Sequence, residues 1–300
     1  MRLAGAVDIG ATNTKIGVVG EDGRILRRAT IPTRTGAEPV HLVDAIAGEL
    51  RPMLDAVADE RNQVAAIGIA VAGFLDREHT MMIANANLPA LRNFLLRRAF
   101  EERFELNCHL EVDSNASTVA EYRFGMGRGV SRLFGMTVGT GVGGGVIIGG
   151  RLLRFTGECA GDVAHFIVDP NGRQCTCGSR GCLEAMICSA ALTERGGSRA
   201  PSEIIRAARN GEKAALTALE ETGRLLGLGL ASLSPTFAPQ KFVIGGGIAA
   251  AGNLLVDSAK QSFDEHAGDA FRGKIEIVAS TFDGWEGMVG AASLALAPLD

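Results

Sequence analysis

Short apolar runs separated by turn residues open the chain. Gly5 to Ile9 is apolar and leads through Asp8-Ile9-Gly10-Ala11-Thr12 to a second run at Ile16 to Val19; after Glu21-Asp22-Gly23 a third run spans Ile25 to Ile31. Three such runs with turn residues between them predict a β-meander. The period then lengthens. Leu42, Ile46, Leu50 and Leu54 recur at helical spacing, which predicts a helix over His41 to Glu60. Val64 to Val71 reads as a buried strand, Leu91 to Phe104 as a helix, Cys108 to Val112 as a strand and Ala116 to Phe124 as a helix.

The pattern then restarts. Leu133 to Val138, Gly144 to Ile148 and Leu152 to Phe155 predict a second meander, its first turn again rich in Gly and Thr. Helices are expected from Pro201 to Leu233, near Asn253 to Glu265 and over Glu286 to Leu296, with strands at Phe242 to Ile244 and Ile275 to Ala279. Two α/β halves that open alike predict an internal duplication with a cleft between them. Gly125, Gly127 and Gly129 interrupt the helical pattern, so the boundary is expected there: an N-terminal domain over 1–127 and a C-terminal domain over 128–300.

Composition narrows the function. At 300 residues and 46% hydrophobic, the chain can bury two cores. A net charge of −4 gives no electrostatic case for a nucleic-acid partner. No apolar run is long enough to span a bilayer, and Met1-Arg2-Leu3-Ala4-Gly5 does not read as a signal peptide. A cytoplasmic protein is therefore expected. The 40 glycines are about twice the ordinary share and fall in clusters, as they do where backbone turns tightly or closes on a ligand.

Four groups of residues carry candidate chemistry. Two Gly/Thr turns, one with Asp8, Gly10 and Thr12 and one with Gly139, Thr140, Gly141 and Gly143, could hold phosphate oxygens on backbone N–H groups. A carboxylate such as Asp8 tolerates a phosphate nearby only with Mg²⁺ between them. Plain hairpin turns are the alternative. Gly139 to Gly144 also fits G-x-G-x-x-G, but these glycines open a strand rather than a helix, so the dinucleotide reading fails. No Walker A sequence occurs.

Asp113 ends a strand and begins a helix. It could be a general base at a strand's carboxyl end or simply a helix cap. His165, Cys175, Cys177 and Cys182 form His-x9-Cys-x-Cys-x4-Cys, three thiolates and one imidazole, with Gly172, Gly178 and Gly181 available for sharp turns. That donor set suits a closed structural zinc site, without an open position for catalysis.

Asp8-Ile9-Gly10-Ala11-Thr12, Gly139 to Gly145, Ala160 to His165, Cys175 to Glu184 and Gly245-Gly246-Gly247 occur in that order. Together they resemble the ROK family of repressors, open reading frames and sugar kinases, over essentially the whole chain. The resemblance implies a two-domain actin-like ATPase (ribonuclease H-like) α/β fold with a central cleft and a zinc knuckle. It implies ATP-dependent phosphorylation of a hexose or hexose derivative, with Asp113 as base and Asn115 beside it. Asp8, Gly10, Thr12, Gly139, Thr140 and Gly141 would lie at the phosphates and Mg²⁺, and Gly245, Gly246 and Gly247 at the nucleoside.

Gly73, Asn87, Asp113, Asp162, His165 and Glu184 would form the sugar side. His165 would bind zinc through one ring nitrogen and meet sugar through the other. Homodimers or homotetramers are the family habit. The alternative within the family is a sugar-responsive regulator or sensor with weak or lost kinase activity; a DNA-binding segment is not expected here, because Asp8 falls within the first ten residues. Four positions depart from the family pattern: Asp162 stands for Glu, Ala164 for Gly, Val112 for Asn and Ala72 for Pro. All four lie on the sugar side, whereas the phosphate turns are intact.

Overall fold

The computed structural model describes residues 1–36, 38–58, 62–85, 87–154 and 163–299. Glu60, Phe155, Ala160 and Asp162, named above, lie outside the described residues.

Contacts divide the chain into two units. The first is Met1–Phe124 with the segments that begin at Arg151 and at Trp285; the second is Gly125–Gly150 with the stretch that ends at Gly284. The division therefore differs from the single cut at 127/128. The reason is that the final helix buries its residues against the first unit.

In the first unit, β1 (Arg2–Ile9), β2 (Asn13–Gly20) and β3 (Ile25–Pro32) form the expected meander. The helix α1 (Pro39–Asp55) follows, then β4 (Gln63–Val71), the short hairpin β5 (Phe74–Leu75) and β6 (Met82–Ala84), α2 (Leu96–Phe104), β7 (Cys108–Val112) and α3 (Asp113–Phe124). The sheet order is β3-β2-β1-β4-β7, antiparallel through the meander and parallel from β1 to β7. Leu42, Val43, Ile46, Leu50 and Leu54 of α1 are buried, as their spacing required. Pro39 starts that helix and Pro52 precedes its end, shorter than the pattern promised. Leu91 belongs to a separate 3₁₀ turn, Pro89–Leu91, so α2 starts later than expected.

Next come β8 (Arg132–Val138), β9 (Val142–Ile148) and the two-residue strand β10 (Arg151–Leu152), and then, in the second unit, the helices α4 (Leu183–Ile187), α5 (Ser189–Arg195), α6 (Pro201–Arg209) and α7 (Lys213–Phe237). They are followed by β11 (Lys241–Gly245), α8 (Asn253–His266) and β12 (Glu276–Ala279). The sheet order is β10-β9-β8-β11-β12, which repeats the first sheet's logic, with the antiparallel β9-β8 pair followed by parallel neighbours. Phe134, Phe242 and Phe263 are fully buried here, with successive ring centroids 5.4 and 6.3 Å apart. Such aromatic pairs contribute about 0.5–1.5 kcal/mol each beyond their area.

α9 (Glu286–Leu296) returns to the first unit. It lies so close that a Cβ on Gly290 would sit 1.7 Å from the Ala116 carbonyl oxygen of α3, and one on Gly68 of β4 would sit 2.1 Å from that of Ala291. No helix among the described residues is long and apolar enough to cross a membrane.

Candidate active site

Register decides which residues of the first unit meet. Asp8 of β1 lies beside Ala70 of β4, and Ala70 beside Glu111 of β7. These three strands are parallel, so their carboxyl ends lie side by side, where ligands of α/β sheets bind. Two or three residues further along the chains come Gly10, Gly73 and Asp113.

Asp8 is 15% exposed, and its Oδ2 lies 3.8 Å from Lys15 Nζ. Burial raises its pKa to about 7; Lys15 opposes that shift, while Asp113 and Glu286 add to it. Asp113 begins α3, and its Oδ1 accepts the Ser114 N–H at 2.8 Å. Burial pushes its carboxyl up as well, against that hydrogen bond and Lys15. A carboxyl shifted in this way is closer to the range a general base needs at neutral pH. The Ser114 contact also means that the helix-cap role and the catalytic role are compatible, since it occupies one carboxylate oxygen.

Three participants escaped the sequence reading. Lys15 points back from β2, Glu286 reaches in from α9, and Gly287 lies under the Asp8 carboxylate, where a Cβ would stand 2.7 Å from Oδ2. Nothing local in the sequence marks Glu286 and Gly287, because α9 lies almost the whole chain away from β1, and Lys15 meets Asp8 only through the register of the β1-β2 pair.

The loop after β4 is tight. Gly73 has φ +115°, and a Cβ there would meet the Ala84 carbonyl oxygen at 2.5 Å, so glycine is required. Asn85, also missed, holds the loop. Its Nδ2 donates to the Ala72 carbonyl at 2.6 Å, and its Oδ1 accepts the N–H groups of Asn87 and Leu88 at 2.8 and 2.9 Å. Asn87 itself is exposed.

In the two Gly/Thr turns the first glycine is not a free donor. Gly10 N–H donates to Asn13 O at 3.1 Å, and Gly139 N–H to Gly141 O at 2.9 Å. Donors to a phosphate would therefore come from later residues of each turn, where Thr12 and Thr140 are exposed. In the second unit the turn after β8 meets the turn after β11. Gly246 has φ +85° and its position would put a Cβ 2.5 Å from Val138 O; Gly139 and Gly247 are neighbours too. Glu184 of α4 braces the same turn, its Oε2 accepting Val142 N–H at 3.0 Å beside Gly141.

The His165, Cys175, Cys177 and Cys182 ligand atoms all lie within 4.8 Å of one another. Cys177 Sγ and Cys182 Sγ are 3.7 Å apart, and Cys175 Sγ and His165 Nδ1 are 3.5 Å apart. A disulfide needs about 2.05 Å. A tetrahedron with Zn–S near 2.3 Å and Zn–N near 2.0–2.1 Å has edges of roughly 3.5–3.8 Å, so the four groups fit a zinc ion. Gly178 at φ +93° and Gly181 at φ +70° permit the loop. The Gly181 position is closed to side chains, since a Cβ would lie 1.5 Å from Asp169 O. Ala164, by contrast, is absent from the positive-φ residues and is buried, so it replaces glycine without strain.

The sequence model of the ROK family matches residues 4–297. The chain is 33% identical over 321 residues to a glucokinase of Streptomyces coelicolor, covering 99% of each. It is 33% identical over 297 residues to an N-acetylmannosamine kinase of Escherichia coli, covering 97% of each. Among solved structures, a ROK family glucokinase from Streptomyces griseus in complex with glucose and AMPPNP superposes with a TM-score of 0.86 at 34% identity, over 98% of this chain and 99% of that one. With the motifs in order, both α/β units in place and the Cys₃His cluster assembled, the chain belongs to the ROK family.

Proposed function

We propose that the protein transfers the γ-phosphoryl group of ATP to a hydroxyl of a hexose or hexose derivative, with Asp113 as general base. The observation that carries this reading is the Asp113 carboxylate at the carboxyl end of β7, its pKa raised by burial, in the same unit as Asp8 and the first Gly/Thr turn. The similarity to glucokinases and to an N-acetylmannosamine kinase supports a sugar as acceptor. The superposition with a complex of glucose and AMPPNP supports ATP as donor.

Phosphoryl transfer requires positioning and charge neutralisation more than covalent chemistry. Asp113 would take the proton of the attacking hydroxyl as the new O–P bond forms, the bond to the ADP leaving oxygen breaking as it does so. Lys15 offsets the negative charge of Asp8. Asp8 is suited to hold Mg²⁺, which would neutralise phosphate charge; the fit rests on its buried carboxylate, crowded by Asp113 and Glu286. Thr12 and the backbone around it would face the phosphates from the first unit. In the second unit Thr140, Gly141 and the Gly245 to Gly247 turn would take phosphate and nucleoside. Gly73, Asn87, Asp162, His165 and Glu184 would contact sugar, and zinc on His165, Cys175, Cys177 and Cys182 would hold its loop without taking part in transfer.

A coupled ADP-release assay across glucose, mannose, fructose, N-acetylglucosamine and N-acetylmannosamine tests the reading. One sugar should stimulate ADP release, and Asp113→Asn should lower kcat by about 100-fold or more with ATP affinity little changed. Near-normal turnover in that variant would leave Asp113 only its contact to Ser114.

A further inference from the structure

The first unit contains a cavity of about 300 Å³ beside the edge strand β7. Its wall carries Arg77, His79, Arg97, His109 and Arg154, against Glu78 as the acidic member. Three guanidinium groups and two imidazoles around one small space call for a counter-charge.

Glu111 supplies part of it from below. Its side chain is fully buried, and its Oε2 accepts Arg154 Nε at 3.0 Å. Burial pushes its carboxyl up, but His109, His79, Arg154 and Asn115 outweigh burial and hold the pKa at about 2, so it is ionised. Its other oxygen, Oε1, already accepts Val112 N–H and Asn115 Nδ2, both at 3.0 Å. That carboxylate has little acceptor capacity left for the wall above it.

The wall, in contrast, has donors to spare. Arg154 uses Nε on Glu111 and Nη1 on the Leu299 carbonyl; Arg97 uses Nε on Glu101 at 3.0 Å. Arg77 has neither ion pair nor hydrogen bond among the described residues. His109 Nε2 is closed off from the cavity and faces Glu111 Oε2 at 3.9 Å, so the free donors of the wall are guanidinium groups. Guanidinium forks around a small space match the several acceptor oxygens of a tetrahedral oxyanion.

We infer that this cavity is a binding site for a phosphate dianion, free or carried by a small phosphate ester. Arg77 and Arg97 supply its main unspent donors, and Arg154 is shared between the ligand and Glu111. The site is separate from the residues proposed for phosphoryl transfer, and the inference does not depend on that reading.

The test is calorimetric titration of the full chain with inorganic phosphate and, in a second arm, glucose 6-phosphate. A non-hydrolysable ATP analogue is held at saturation so that the nucleotide site is filled. Wild type should bind saturably, and Arg77→Ala and Arg97→Ala should each bind about tenfold more weakly. Stronger binding in one arm assigns the source of the phosphate group. Arg77 is exposed, so its replacement should leave the thermal midpoint without phosphate unchanged and keep the test valid even if Arg97→Ala loosens the helix through its lost pair with Glu101. Equal affinity in wild type and Arg77→Ala, or no saturable binding by wild type below about 10 mM in either arm, would overturn the inference. No turnover is measured, so failure here is distinct from failure of the kinase reading.

Discussion

Gly287 shows how much one absent methyl group controls. A Cβ there would stand 2.7 Å from Asp8 Oδ2 and 2.8 Å from its Cγ, so any side chain displaces the carboxylate. Gly287→Ala should lower kcat by about tenfold or more through that misplacement. Alanine is the better helix former by about 1 kcal/mol, so weakening of α9 would not account for the loss. Steady-state kinetics as a function of Mg²⁺ checks this; unchanged kcat would mean that Asp8 relaxes freely. Val112 poses the opposite question. It directly precedes Asp113, is half-buried, and uses its backbone N–H on Glu111, leaving an apolar side chain where the family pattern has Asn. A hydrogen bond regained to a buried hydroxyl is worth on the order of 1 kcal/mol. Val112→Asn should therefore raise kcat/KM for glucose severalfold relative to the best native sugar. Ratios measured across the sugar panel would reject this if glucose gained nothing.

At the scale of elements, the Cys₃His loop is a brace for α4. His165 ends a 3₁₀ turn, Cys175 and Cys177 lie in a loop closed by the Gln174–Arg180 bridge, Cys182 bridges to Ile167, and Leu183 N–H donates to Phe166 O at 2.8 Å. Losing the metal should loosen His165 and Glu184 together, since Glu184 sits one residue after Leu183. Elemental analysis should find one zinc per chain. Cys177→Ser should lower the thermal midpoint by several degrees and raise the sugar KM by about tenfold, more than it changes the ATP KM. Full zinc occupancy with unaltered sugar KM in that variant would separate the loop from the sugar site. The long helix α7 illustrates the other use of glycine. Gly223 and Gly227 sit mid-helix, where they cost propensity, yet a Cβ on either would meet the Leu255 or Ala259 carbonyl of α8 at 2.5 or 2.2 Å. Close packing of two helices offsets that cost.

For the whole molecule, the buried carboxylates link stability to pH. Asp8 titrates at about 7 in the fold, against an ordinary 3.8. Because the folded value is raised, its penalty is absent below the ordinary value, grows as pH rises towards the folded value, and is constant above it. Protein free of divalent cation should therefore lose stability over that window, by up to about 4 kcal/mol for a shift near three units. Asp113, whose carboxyl is also pushed up, acts in the same direction. Thermal melts should show wild type less stable at pH 8 than at pH 5 from this source. Asp8→Asn should remove much of the difference while abolishing activity, and Mg²⁺ should stabilise wild type but not the variant. A variant as pH-sensitive as wild type would place the linkage elsewhere.

Local pattern alone was enough for the meanders, α1, the catalytic-strand candidate and the Cys₃His set, because each is written in neighbouring residues. Alternation and helical spacing act over one or two turns of chain, and four metal ligands within eighteen residues assemble by loop geometry alone. The repeated Gly/Thr turns were legible for the same reason. What required the tertiary structure was everything set by pairing between distant segments. The parallel register of β1, β4 and β7 brings Asp8 to the same end of the sheet as Asp113. The return of α9 supplies Glu286 and Gly287 and moves the domain division away from 127/128. The hydrogen bond within each Gly/Thr turn withdraws Gly10 and Gly139 N–H from any ligand. The physical reason is common to all three. Burial, desolvation and close backbone approach belong to pairs of segments, and a linear pattern records what each segment can do but not which partner it meets.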